Sequence, residues 1–212
     1  MDLGHPLQVV TSGVDGDVLR VLAGATTDFT VSEIHGLIGE HSSAGVRKSL
    51  ERLCAQGIVL RRDAGNTFLF QLNREHLGAN AIVVLAHLKE QLLERLLTVL
   101  DTWKLPCAHA ALFGSAARGD MKVSSDIDLF IIRRSEVGQE DPTWVTQVFE
   151  LGKAVFSWTG NDVNVLEFSE EEFRQGINQD PVLAEIFREG IVLVRHPDFW
   201  NSLMKSTMAN SK

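Results

Sequence analysis

One stretch, LFGSAARGDMKVSSDIDLF over residues 112–130, constrains the fold of this chain more than any other. An apolar strand ends in Gly114-Ser115, a helix is predicted to open at about Ala116, and a second strand begins at Asp126-Ile127-Asp128. Side chains alternate between the two faces of a strand, so Asp126 and Asp128 share one face while Ile127 and Leu129 take the other. Two adjacent carboxylates repel unless a cation lies between them, and hard oxygen donors at this spacing suit Mg²⁺ or Mn²⁺. A D-x-D pair alone is weak, because such pairs are common on solvated turns. Its neighbours sharpen it. Gly114 lets an anion approach the backbone, and the Ser115 amide, its hydroxyl and the helix N-terminus can hold phosphate oxygens. Arg118, about one turn further on, can add a charge-assisted phosphate contact. The combination describes a site for a metal-bound nucleoside triphosphate (NTP), as substrate or as ligand.

The elements around this stretch alternate between strand and helix, which indicates an α/β domain over residues 106–203. DIDLFII is a nearly continuous apolar run, expected to be buried on both faces. Residues 142–156 carry Trp144, Val148, Leu151 and Val155 at helical spacing, and residues 162–168 (DVNVLEF) read as a further strand. Ser169-Glu-Glu-Glu172 is a capping box, and Asp180-Pro181 fits an N-cap followed by proline at the first helical position. IVLV over 191–194 adds a final strand, and residues 204–212 read as a flexible tail.

Residues 1–76 have a different order: a helix over 13–23, a second from a Thr30–Glu33 capping box to Ile38, and a third with Val46, Leu50 and Leu53 on one stripe. Two strands over 58–62 and 67–72, joined by a DAGN turn, complete a hairpin. Between the two units, residues 77–105 read as one long connecting helix, with Leu85, Leu88, Leu92, Leu96 and Val99 every three or four residues. Its stripe suits packing on one or both neighbours, and its spare face offers a homodimer interface.

Charge argues against a uniformly basic coat. The chain has 20 Lys and Arg against 28 Asp and Glu, a net charge of −8. The basic residues of the first unit are nevertheless clustered. Arg47, Lys48 and Arg52 lie on the third helix, Ser42 and Ser43 open it, and Arg61 and Arg62 lie on the hairpin. That pattern fits either a solvated helix face or a helix that enters a DNA major groove while the hairpin touches phosphates. No apolar run reaches the length of a membrane span, and the first residues do not read as a secretory signal. With only two cysteines and no disulfide framework, a reduced, cytoplasmic setting is expected.

Two resemblances follow. SSAGVRKSLERLCAQGIVLRR, with its polar entry, basic helix and turn into a hairpin, resembles bacterial winged helix-turn-helix regulators across about residues 14–73. It implies binding to double-stranded DNA through Ser42, Ser43, Arg47, Lys48, Arg52, Arg61 and Arg62. Gly-Ser-x-x-Arg-Gly followed by Ser-Asp-x-Asp-Leu resembles the DNA polymerase β-like nucleotidyltransferases, especially their minimal prokaryotic members, across about residues 108–195. That resemblance implies transfer of a nucleoside monophosphate from an NTP to an acceptor hydroxyl on a protein, an RNA or a small molecule. Its relatives include antitoxins that adenylylate a toxin partner and enzymes that modify antibiotics. Gly114, Ser115 and Arg118 match the nucleotide-binding loop, and Asp126 and Asp128 match the catalytic metal ligands.

The resemblance also implies a third carboxylate on a later strand, where this chain has Asn164. An amide oxygen can touch a metal or a hydroxyl but cannot act as a general base. Asp162 shares the predicted face and takes that place if the strand register differs, whereas Glu167 faces the other way. Three functions stay open: a DNA-binding nucleotidyltransferase weakened at Asn164, a transcriptional regulator whose degenerate nucleotidyltransferase domain senses nucleotide, and a structural adaptor that dimerises through the long Leu-rich helix.

Overall fold

A computed structural model describes residues 1–177 and 179–209. It divides into two compact units, residues 2–89 and residues 90–212 with Met1.

In the first unit a 3₁₀ turn (Pro6–Val9) precedes α1 (Val14–Ala23), α2 (Val31–Ile38) and α3 (Ser43–Ala55). A hairpin of β1 (Val59–Ala64) and β2 (Thr67–Leu72) and helix α4 (Ala79–Ala86) follow. The Thr30–Glu33 capping box forms in both directions, and these hydrogen bonds hold the Glu33 carboxyl below its usual range. The Ser42 hydroxyl accepts the Gly45 amide and starts α3. Apolar faces of the helices meet in one core containing Val18, Leu22, Ile34, Val46 and Leu50, closed by Phe70 and Leu72 of the hairpin. Phe29 adds a short bridge to Phe70, with amide-to-carbonyl distances of 2.9 and 2.8 Å. No period-two pattern marks so short a pairing in the sequence.

Polar residues of α1 also anchor this unit. The buried Asp17 carboxylate binds His5 Nδ1 at 2.6 Å through one oxygen and His41 Nε2 at 2.9 Å through the other. Asp15 accepts from the Ser49 hydroxyl at 2.6 Å and pairs with Arg52. A buried carboxylate must be satisfied in this way to avoid a desolvation penalty. The residue before α3 and the N-terminal segment are thereby fastened to α1.

The single connecting helix expected over 77–105 is two helices. α4 ends at Ala86 and α5 spans Leu88–Asp101. His87 lies between them at φ −110° and ψ 30°. Its ring Nδ1 meets the Val83 carbonyl at 2.8 Å, while its amide turns to Val84 at 3.3 Å. The side chain thus takes the carbonyl that the helical ladder would use, and apolar periodicity cannot register that competition.

The second unit is built on a mixed four-stranded sheet of order β5-β4-β3-β6. Its strands are β3 (His109–Phe113), β4 (Ile127–Arg133), β5 (Val163–Ser169) and β6 (Ile191–Arg195). β4 runs antiparallel to β3 and parallel to β5. The helices are α6 (Gly114–Arg118), α7 (Pro142–Thr159), α8 (Glu170–Gly176), α9 (Pro181–Glu189) and α10 (Pro197–Ala209). As expected for a strand buried on both faces, Ile127 and the residues from Leu129 to Ile132 are all buried. On one face Phe130 and Ile132 pack with Phe173, Leu183, Ile186, Phe199 and Leu203 of α8, α9 and α10. On the other, Ile131 and Ala110 meet Leu96 and Leu100 of α5 and Leu151 of α7. The tail expected from residue 204 is helical through Ala209, because Phe199 and Leu203 anchor α10; residues 210–212 lie outside the described residues. Among the described residues no helix is long and apolar enough to cross a membrane.

Replacing Asp17 with Asn should loosen the first unit by about 1–3 kcal/mol, the cost of weakening charge-assisted bonds at a buried group. Hydrogen exchange of the intact chain should then quicken in the N-terminal segment, in α1 and before α3, with the second unit unchanged. Unaltered exchange near His41 would contradict the anchor.

Candidate functional site

The alternation of β4 sets the site. Asp128 shares a face with Phe130 and Ile132, whose side chains enter the core under α8, α9 and α10. Asp126 precedes the strand, and both aspartates are half-buried. Parallel pairing puts Asn164 beside Asp128 in register. The Asn164 Nδ2 donates to Asp126 Oδ2 at 2.9 Å and to Asp128 Oδ1 at 3.2 Å. One amide therefore spans both carboxylates, which shows directly that all three side chains converge.

The register also answers the question left open between Asn164 and Asp162. Asp162 lies just before β5, its carbonyl accepting the Ile127 amide at 2.8 Å, and Asn164 is the residue bonded to the pair. Glu167 lies on the opposite face. It accepts from Arg133 Nε at 2.9 Å and from Trp144 Nε1 at 3.0 Å. Among the described residues no three His, Cys, Asp or Glu side chains form a metal-ligating group. A divalent cation here would be held by the two aspartates, with Asn164 as a neutral third group. The hard oxygen donors fit Mg²⁺ or Mn²⁺ on those terms.

Gly114 explains how Asp128 fits. It has φ +69°, and a Cβ at this position would collide with the Asp128 carboxylate. Glycine is thus required by both backbone conformation and the close approach. α6 opens at Gly114 rather than at Ala116, so Ser115 lies in its first turn. Arg118 is turned to acidic neighbours, with Nε 3.3 Å from Asp120 and Nη1 3.8 Å from Glu189. The structure does not bring it to the aspartate pair.

Asn161 is a residue that sequence reasoning missed. It is 3% exposed, and its Nδ2 donates to the carbonyls of Val123 at 3.1 Å and Ser125 at 2.9 Å. A turn closed by the Lys122 amide to Ser125 Oγ at 3.0 Å supports the same segment. Asn161 therefore straps the loop that delivers Asp126 to the start of β5. A Gly-Asn pair after a helix reads only as a turn, so no sequence signal reveals this role.

In the first unit the expected DNA-contacting residues separate into two groups. Arg47 and Lys48 are exposed on α3, and Ser42 and Ser43 lie at its start. Arg61 lies over the exposed Phe68 ring, 4.6 Å from its centroid, on the hairpin beside Arg47. Arg52 is paired with Asp15 and Arg62 with Asp28, so these two guanidinium groups are engaged within the unit.

The sequence profile of the nucleotidyltransferase domain matches residues 93–202, more than half of the chain. The chain belongs to the nucleotidyltransferase domain family. No curated protein matches it in sequence. Among solved structures, a toxin–antitoxin structure with AMP-PNP is similar at 15% identity and a TM-score of 0.37, over 56% of this chain and 86% of that one. A Sulfolobus solfataricus protein assigned as a nucleotidyltransferase is similar at 15% identity and a TM-score of 0.27, over 50% of this chain and 85% of that one. The family assignment rests on the sequence profile alone.

Two substitutions test how this nucleotidyltransferase domain is assembled. Gly114→Ala should push Asp128 aside, and Asn161→Ala should release the Asp126 loop. Each should weaken binding of magnesium–ATP by about tenfold or more, since ten-fold is 1.4 kcal/mol and a lost buried hydrogen bond costs about 1–3. Titration calorimetry measures the loss and circular dichroism checks the fold. Unchanged affinity in both variants would contradict the assembly.

Proposed function

We propose that the chain is a DNA-binding nucleotidyltransferase that takes an NTP with Mg²⁺ or Mn²⁺ and transfers its nucleoside monophosphate to an acceptor oxygen. The observation that carries this reading is the convergence of Asp126, Asp128 and Asn164 beside Gly114. When bound, the cation supplies charge stabilisation to phosphate oxygens. Asp126 and Asp128 hold it, and the strap from Asn161 keeps Asp126 in place. Gly114 admits the Asp128 carboxylate and, with Ser115, offers backbone to the triphosphate. Arg118 would reach a phosphate by exchanging its acidic partners for it. Positioning and electrostatics supply most of the rate in such phosphoryl chemistry.

The first unit supports a winged helix-turn-helix reading, because three helices precede a hairpin and the exposed Arg47 lies beside Lys48 on α3 and beside Arg61 on the hairpin. Its partner is then double-stranded DNA, with α3 in the major groove. The neutral Asn164 favours a second reading, a regulator whose domain binds nucleotide as a signal without turnover. A homodimer, through which paired half-sites would be read, is part of both. A cytoplasmic setting fits both as well.

Incubation with α-labelled NTPs, magnesium and cell extract tests transfer. Labelled acceptor with wild type and none with Asp126→Ala supports it; magnesium–ATP binding without transfer supports the sensing reading. Loss of ATP binding should accompany Asp126→Ala in either case. For DNA, Arg47→Ala and Lys48→Ala should each lower affinity and reduce the salt slope by about 1. Arg52→Ala and Arg62→Ala should change that slope little. Fluorescence anisotropy across a salt series checks this, and equal slopes for all four variants would contradict the interface.

A further inference from the structure

We propose that the acceptor of this site is an oxyanion, a phosphate or carboxylate oxygen already ionised at neutral pH, rather than a neutral alcohol. The inference rests on the transfer reading and specifies its second substrate. An alcohol that attacks the α-phosphorus must lose a proton to some group near the aspartate pair. Asp126 and Asp128 would be taken up by the cation when it is bound, and the side chain bonded to both of them is Asn164, whose Nδ2 is a donor and takes up no proton. Glu167 is on the far side of the strand, held by Arg133 and Trp144.

An oxyanion removes the requirement. Its lone pair forms the new bond to the α-phosphorus, and the bond from that phosphorus to the β-bridging oxygen breaks. The electron pair leaves on pyrophosphate, no proton is transferred, and nothing is oxidised or reduced. The neutral amide also suits such an acceptor electrostatically. A third carboxylate would repel an approaching anion, whereas the uncharged Asn164 amide does not.

The test uses the full chain with α-labelled ATP and magnesium, offering inorganic phosphate, acetate (with hydroxylamine to trap the acyl adenylate) or glycerol. The two anions distinguish a phosphate acceptor from a carboxylate one. Wild type should label at least one of them about 100-fold faster than glycerol, since a general base is typically worth about 10²–10⁴-fold. Asn164→Asp should bring glycerol to within about tenfold of the anion. Asp162→Asn should leave the wild-type rates unchanged. A binding measurement stands apart from turnover: with magnesium and a nonhydrolysable ATP analogue, inorganic phosphate should bind wild type about tenfold more tightly than Asn164→Asp.

Equal use of glycerol and the anions by wild type would overturn the proposal, as would loss of transfer in Asp162→Asn or equal phosphate affinity in the two proteins. If Asn164→Asp labels glycerol while wild type labels neither anion, the proposal fails and the transfer reading stands. If wild type labels none of these acceptors but labels one in cell extract, the proposal fails unless that acceptor is an oxyanion; if it labels nothing in either assay, the transfer reading fails and the proposal fails with it.

Discussion

The convergence of Asp126, Asp128 and Asn164 at the lip of β4 is the constraint on which the rest of the site depends. Strand alternation turns Asp128 to the face of β4 that carries Phe130 and Ile132 into the apolar core, and the loop held by Asn161 brings Asp126 beside it. Their charge is tolerable because the pair lies at the strand's lip, half-exposed, and because the Asn164 amide bridges it. The parallel pairing of β5 with β4 makes that bridge possible, and Gly114 gives Asp128 the room it occupies. A sheet element, a neighbouring strand and a turn thus contribute one feature each, and a substitution in any of them is felt at the same carboxylates.

Behind this lip the same alternation places a second set of charges on the other face of the sheet. Glu167 and Arg133 face each other across β5 and β4 on the side covered by α7, where Trp144 completes the bonding of the Glu167 carboxylate. Breaking this partly buried pair would leave the buried Arg133 guanidinium without its carboxylate partner. His109, also buried, is kept neutral, with its pKa lowered to about 4 chiefly by desolvation. The Cys107 thiol is raised to about 12 by burial, so it stays protonated and inert at neutral pH.

Much of this was legible in the sequence where local chemistry decides the outcome. The Thr30 and Ser169 capping boxes and the Asp180-Pro181 start form as their residue spacing implies. The common face of Asp126 and Asp128 followed from period two alone. Three features were not legible, each depending on contacts between distant residues or on a side chain competing with the backbone. His87 diverts the helix with its ring, Asn161 reaches across to a loop far away in sequence, and Arg52 and Arg62 are claimed by Asp15 and Asp28. Hydrophobic spacing carries no information about such partners. The choice between Asn164 and Asp162 likewise awaited the register of β5, which one residue's slip would have inverted.

The proposed chemistry requires a divalent ion between the two aspartates and a triphosphate at Gly114 and Ser115. Crystals grown with Mn²⁺ and a nonhydrolysable NTP, measured at the manganese absorption edge, test this most directly. An anomalous peak within coordination distance of both Asp126 and Asp128, with phosphate density against Gly114-Ser115, is the predicted result. Nucleotide bound elsewhere, or manganese held without either carboxylate, would contradict it.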